Sequence, residues 1–253
     1  MANEWERYPR TGRFLMGRLR EGMSRDERLQ VEGLIEDERV LAAGAALGRR
    51  GARCSTSAIL IDGFAARTID QGGKRHIVAV HVPGDFVDLH GYALKRLDHD
   101  IVALGPLRTG TVSHAALRRA FEKRARLARV LWFSTLLDAA IHRKWVLMLA
   151  NLAAAGRVAH VFCELWRRLE MVGLAQDDGF AIPLTQVELA NMCGTTPVHM
   201  SRALRHLREE GLVTFRNGRL QSNQRGALER FCDFDPSYLY GPGELRIAGE
   251  DFS

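Results

Sequence analysis

An α+β fold in three consecutive parts is predicted, and three observations predict it. Residues 40–112 are short apolar runs punctuated by glycine, residues 123–151 contain neither glycine nor proline, and residues 184–221 carry two capped helices followed by an Asn-Gly pair. Short runs at regular turn spacing indicate a β-sandwich or barrel, and a long stretch without breakers indicates one long helix. The last pattern indicates a winged helix-turn-helix.

Composition sets the bounds. With 253 residues and 46% apolar content the chain has room for one large or two ordinary cores. No run of about 18 apolar residues is present, so no membrane span is expected. The opening MANEWERYPRTGRF has no apolar stretch of signal-peptide type, and a cytoplasmic protein is expected. Cys54, Cys163, Cys193 and Cys232 lie far apart without C-x-x-C or Cys/His pairing at zinc spacing, so neither a disulfide nor a zinc site is expected. The net charge of +6 suits a polyanionic partner, although many soluble proteins are as basic.

Taken in order, Phe14 to Leu34 reads as one or two helices, with a capping box at Ser24 and Glu27 and apolar contacts from Leu29, Val31 and Leu34. Ser57–Ile61, Ala65–Ile69, Arg75–Val82 and Ile101–Leu104 are the expected strands. From His114 the pattern turns helical. Within Lys123–Asn151, the residues Leu127, Val130, Ser134, Leu137, Ile141, Lys144 and Met148 fall at alternating steps of three and four. That is a heptad seam with two polar interruptions, and it fits a partner helix or the chain's own β domain. Ala153 to Gly156 reads as a hinge, followed by a helix from Arg157 to about Met171 that Gly173 ends.

Thr185 with Glu188 forms a capping box, and Val187, Leu189, Ala190 and Met192 give the first helix of the motif an apolar side. Gly194 supplies a corner, Thr196 caps a second helix, and Pro197 occupies its first position, where a missing N–H costs nothing. Met200, Ala203, Leu204 and Leu207 form its buried face. Leu212–Phe215 and Arg219–Gln221 read as two strands joined at Asn217-Gly218. In such motifs a dimer places the second helix in the DNA major groove.

The segments LTQVELANMCG, TPVHMSRALRHLREEGLV, the NGRL wing and the late FDPSYL resemble the DNA-binding domain of the Crp/Fnr family of bacterial transcription regulators, in particular its alphaproteobacterial branch. GAALGRRG, LIDGFAAR, QGGKRHI and VPGDFVDLHG are similar in order and spacing to that family's jelly-roll sensor domain. The resemblance implies an N-terminal jelly-roll β-barrel of cyclic-nucleotide-binding type at 1–122, a central dimerisation helix at 123–152 and a winged helix-turn-helix domain at 153–253. It also implies a parallel homodimer, joined through Leu127, Val130, Leu137, Ile141 and Met148, with RNA polymerase as a further partner.

The chain departs from the family where cyclic nucleotide binds. Leu89 stands where a ribose-binding Glu belongs, and Asp98-His99-Asp100 lies near the place of the phosphate-binding Arg. Carboxylates there reverse the local electrostatics, so cyclic AMP is not expected. Only Cys54 lies in the sensor half, which excludes an iron–sulfur cluster. Haem could attach through His76, His81, His90 or His99, but a lone histidine on a strand reads first as a satisfied polar residue. No cofactor is expected, and the effector is not legible.

The expected DNA-binding residues are Thr185, Gln186, Thr196, Pro197, Val198, His199, Ser201, Arg202 and Arg205. Arg202 is the main base reader, because its fork matches guanine O6 and N7. Val198 stands where the family signature carries a Glu, and valine packs on a thymine methyl instead of accepting from a base. Arg208, Arg216 and Asn217 read equally well as phosphate contacts or as solvated groups. Cys193 invites a redox-switch reading, which its apolar neighbours oppose.

The competing class is a metal-dependent, cupin-like jelly-roll enzyme fused to a DNA-binding module. Its motive is the group His81, Asp85, Asp88, His90, Asp98, His99 and Asp100. The paired H-x-H spacing of such enzymes is missing, so no catalytic residue and no metal ligand is expected. A third reading is a structural protein that dimerises through the central helix and binds no DNA.

Overall fold

The computed structural model describes residues 3–242. Among these, residues 3–68, 80–139 and 240–242 form one compact unit, and residues 69–79 with 140–239 form a second.

In the first, short helices α1 (Glu4–Arg7) and α2 (Arg25–Gly33) precede seven strands: β1 (Asp37–Leu41), β2 (Ala46–Gly48), β3 (Thr56–Asp62), β4 (Ala65–Gln71), β5 (Lys74–His81), β6 (Asp100–Ala103) and β7 (Leu107–Ser113). A four-residue helix, α3 (Gly91–Leu94), interrupts the strands after β5, and α4 (His114–Lys123) follows β7. The Ser24–Glu27 capping box forms as expected: Ser24 accepts from the Glu27 N–H, and the Glu27 carboxylate accepts from the Ser24 N–H. Between α1 and α2, however, the chain makes tight turns where a longer helix was expected. Glu32 explains part of this. Buried on α2, its carboxylate accepts from the Thr11 N–H and hydroxyl and from the backbone and guanidinium of Arg10, and so ties down the irregular stretch.

The strands form two antiparallel sheets, ordered β1-β7-β3 and β2-β6-β4-β5. Alternation sets which residues face inward, and Leu60, Ala65, Ile101, Ala103 and Leu107 meet with Val87 and Leu97 in one cluster drawn from both sheets. A second cluster joins Phe14, Ile59, Phe86 and Val112 to Leu117 of α4 and to Leu127, Val130 and Leu131. The last three lie on α5 (Ala125–Asn151), the long helix expected from the absence of breakers, which is separated from α4 at Arg124.

The second unit is built on α6 (Ala154–Met171). The helix begins at Ala154, so the expected hinge at residues 153–156 is its first turn, and the break falls at Leu152–Ala153 instead. Gly156 sits inside the helix against Leu152. Val158, Val161, Phe162, Leu165, Trp166 and Leu169 of α6 are buried. Next come β8 (Ala175–Gln176), β9 (Gly179–Ala181), α7 (Gln186–Met192), α8 (Pro197–Glu209), β10 (Thr214–Arg216), β11 (Arg219–Gln221) and α9 (Arg225–Phe231). The sheet order is β10-β11-β9-β8, so the expected two-stranded wing is half of a four-stranded sheet. Gly179 makes this pairing possible. A Cβ there would stand 1.9 Å from the Leu220 carbonyl oxygen.

Candidate nucleic-acid interface

Local hydrogen bonds shape α7 and α8 as their sequence dictates. The Thr185 hydroxyl accepts from the Glu188 N–H at 3.2 Å, and the Glu188 carboxylate accepts from the Thr185 N–H at 2.7 Å. Thr196 accepts from the His199 N–H at 3.2 Å, with Pro197 opening α8. Between the helices Gly194 takes a φ of +57°, the left-handed corner that glycine permits. The far end of α7 is fixed from α6. The Arg157 guanidinium donates to the Cys193 carbonyl at 3.0 Å and to the Leu152 carbonyl at 2.7 Å.

Burial orients α8. Met200, Ala203 and Leu207 are buried and Leu204 is half-buried, which leaves Val198, Ser201, Arg202 and Arg205 on one exposed face at helical spacing. Thr185, Gln186, Thr196, Pro197 and His199 are exposed as well. Val187 does not join the apolar side of α7; it is 56% exposed, and Leu189, Ala190 and Met192 alone make that side. Arg202 and Arg205 form no ion pair with the described residues, so both guanidinium groups are available to an external anion or base edge. At the wing tip Asn217 and Gly218 have φ of +50° and +72°, as a type I′ turn requires. Arg219 is held by Gln176 at 2.8 Å, whereas Arg216 is exposed.

On the central helix, Leu127, Val130, Leu137, Ile141 and Met148 are all buried within the chain, each 7% exposed or less. The exposed apolar side chains are others: Trp132, Leu136, Val146 and Leu147, 49–66% exposed. Of these, Leu127 and Val130 pack in the second core cluster of the first unit.

In the β domain the acid and imidazole group separates, apart from His90, Asp98 and His99, into individual roles. Asp88 accepts from the Ala58 N–H at 2.6 Å, and burial pushes its pKa up to about 6. His81 is buried beside Asp85 at 3.6 Å, and burial, with the Arg67 charge, lowers its pKa. Burial and Arg67 likewise push His90 down to about 4 and lower His99, so these imidazoles are neutral at pH 7. Asp100 accepts from the Arg50 N–H at 2.7 Å. Arg67, which sequence reasoning passed over, is buried; it donates to the Val87 carbonyl at 2.7 Å and pairs with Asp138 of α5. Asp138 thus closes from α5 on a cation supplied by β4. His76 is exposed on β5.

Sequence reasoning missed one cysteine pair. All four are free, yet Cys163 and Cys232, 69 residues apart, bring their sulfurs to 3.9 Å in the interior. Cys193 is fully buried, and burial pushes its thiol up to about 12.

Fold and site together define a winged helix-turn-helix DNA-binding regulator with an N-terminal β domain. Residues 156–231 match the Crp-like helix-turn-helix domain. The chain is 27% identical over 199 residues to the transcriptional activator protein FnrL of Cereibacter sphaeroides, covering 76% of this chain and 79% of that protein. In fold it is similar to FixK2 from Bradyrhizobium japonicum, with a TM-score of 0.70, 22% identity, and coverage of 77% of this chain and 96% of that one. It is also similar to the c-di-GMP responsive global regulator CLP of Xanthomonas campestris, with a TM-score of 0.63, 15% identity, and coverage of 79% and 99%. Residues 156–231 thus carry a Crp-like helix-turn-helix domain, and the chain as a whole is similar in sequence and fold to transcription regulators of the Crp/Fnr type.

No helix among the described residues is long and apolar enough to cross a membrane.

Proposed function

We propose that the protein binds an inverted repeat in double-stranded DNA as a homodimer, each subunit laying α8 in the major groove of one half-site. The observation that carries this reading is the exposed face of Val198, Ser201, Arg202 and Arg205, set opposite the buried Met200, Ala203 and Leu207. Half-sites one helical turn apart, about 10 to 10.5 base pairs, follow from two-fold symmetry. Arg202 reads a guanine, and Val198 packs on a thymine methyl where an acidic side chain would accept from a base. Thr185, Gln186, Thr196, Pro197 and His199 position the motif on the backbone, and Arg205 and Arg216 add phosphate contacts.

The dimer forms along α5 through a mostly apolar stripe that centres on the exposed Trp132, Leu136 and Val146. Trp132, Leu136, Ala139, Arg143 and Val146 fall at steps of four, three, four and three, a heptad stripe one face removed from the buried seam. The protein acts in the cytoplasm on RNA polymerase, without enzymatic activity and without cyclic AMP. The last point rests on Leu89 and Asp98-His99-Asp100, which stand where the ribose-binding Glu and the phosphate-binding Arg would be.

Selection of bound duplexes from a random DNA pool, at a fixed salt of about 150 mM, tests the reading. Enrichment of an inverted repeat by ligand-free protein establishes a specific dimeric reader and supplies the half-site. Binding without enrichment, by wild type and Arg202→Ala alike, overturns it.

A further inference from the structure

Three residues from the acid and imidazole group converge in the β domain: His90, at the start of α3, and Asp98 and His99, between α3 and β6. Each presents one ligand atom, and the three atoms lie within 4.8 Å of one another. The imidazole rings of His90 and His99 stand 5.3 Å apart between centroids. On both rings Nε2 is buried and has no hydrogen-bond partner among the described residues. His99 as a whole is 6% exposed.

An unpaired buried polar atom is destabilising, and two neighbouring ones of the same kind ask for a shared partner. A metal ion is such a partner. The opposite edge of His99 is already fixed, since Nδ1 meets the Asp98 carboxylate at 2.7 Å. This is how metal-binding histidines are commonly held: a carboxylate takes the second ring N–H, orients the ring and raises its basicity. We infer that His90 and His99 bind a divalent first-row transition metal through their Nε2 atoms, with Asp98 as the residue that positions His99.

Imidazole donors select zinc and its transition-metal neighbours over magnesium and calcium, which take oxygen ligands. Two nitrogens bonded at about 2.1 Å to one ion lie at most about 4.2 Å apart, and the ligand atoms of this cluster, all within 4.8 Å of one another, stand near that spacing. The local charge permits it. Arg67 is the cation that acts on both rings, but Asp138 pairs with it, and Asp98 leaves the cluster net negative. His90 also lines an apolar cavity of about 800 Å³ together with Leu89, Tyr92 and Leu131, which gives an ion and its remaining ligands a way in. All of these contacts lie within the β domain and are independent of how α8 reads DNA.

Titration calorimetry of the purified full-length protein with Zn²⁺ tests it, with Mg²⁺ and Ca²⁺ as comparisons and Co²⁺ absorption as a second readout. One Zn²⁺ per chain is expected, lost in His90→Gln and in His99→Gln and unchanged in His199→Ala. Asp98→Asn should weaken the affinity about 10- to 100-fold without abolishing it. Should the buried His99 variant fail to fold by circular dichroism, His90→Gln decides, because His90 is only partly buried. Wild type that takes up no Zn²⁺, or a His90→Gln protein that binds it unchanged, overturns the inference, as does uptake that vanishes in His199→Ala.

Discussion

The hydroxyl of Tyr238 donates to the carboxylate of Glu164 at 2.8 Å, and the same carboxylate receives the indole N–H of Trp145 at 3.0 Å and the guanidinium of Arg168 at 3.1 Å. Glu164 is 1% exposed. The late FDPSYL stretch thus delivers a phenol to a buried acid on α6 and fastens the end of the domain to its central helix. Glu164→Ala removes the carboxylate that the buried Arg168, Tyr238 and Trp145 share and should cost about 3–5 kcal/mol. Tyr238→Phe removes one hydrogen bond to a charged group and should cost about 1.5–3 kcal/mol. Urea unfolding followed by tryptophan fluorescence measures both, and equal small losses would contradict the hub arrangement.

At the DNA face, Arg202→Ala should weaken binding of the selected site by about 1–3 kcal/mol and relax the preference at one base position. Arg216→Ala should instead lower affinity evenly across sequences and reduce the salt slope by about one. Val198→Glu should change which base is preferred at its step, from a thymine toward a cytosine whose amino group a carboxylate accepts. Competition assays on duplexes varied one position at a time resolve the three outcomes.

For assembly, Trp132→Glu and Val146→Glu should move the protein toward monomer in sedimentation velocity with little change in melting temperature, since both side chains are exposed within the chain. Leu137→Glu should unfold it instead, because Leu137 is buried. A dimer that survived both surface changes would place the interface elsewhere.

Acid should act through Glu32. Burial raises its pKa, but hydrogen bonds from Thr11 and Arg10 more than offset this and hold the carboxyl below the ordinary value of 4.5. A depressed folded pKa means that the stabilisation is complete above about pH 5 and is lost as pH falls through the folded value. Melting temperature should therefore drop on acidification below about pH 4.5, and Glu32→Gln should start lower and show a flatter profile. An unchanged profile in the variant would assign the acid sensitivity to other groups.

Burial of Cys193 predicts a silent thiol. In native protein a thiol reagent should label Cys54, which is half-exposed, and leave Cys163, Cys193 and Cys232 unmodified until the protein unfolds. Wild type should bind DNA identically before and after peroxide. Peroxide sensitivity that Cys193→Ser abolished would revive the switch reading.

What was legible in the sequence was mostly short in range. The Thr185–Glu188 box, the Thr196 cap, Pro197 and the Asn217-Gly218 turn each depend on atoms a few residues apart, and each formed where the residues indicated. Periodicity located the long helix but could not say what lay opposite which face. An apolar seam looks the same whether it meets a partner helix or the chain's own β domain, and Leu127 and Met148 proved to be buried in the chain. The contacts missed altogether join distant residues: Cys163 with Cys232, Glu164 with Tyr238, Arg67 with Asp138. Only folding sets such pairs side by side. The wing was underestimated for the same reason, because β8 and β9 are too short to show a pattern and exist by pairing with each other and, through β9, with β11.

Arg157 bears on motion. Its one guanidinium holds the carbonyl at the break between α5 and α6 and the carbonyl at the corner between α7 and α8. These two places are 41 residues apart along the chain, yet they share a single rigid planar group. A bend at Leu152 must tilt that plane, and the tilt reaches Cys193 without passing through the intervening polypeptide. The second helix of the motif is in this sense geared to the end of the long helix by one side chain, and a lysine, whose three donors share one freely rotating nitrogen, would not hold both carbonyls to a fixed plane.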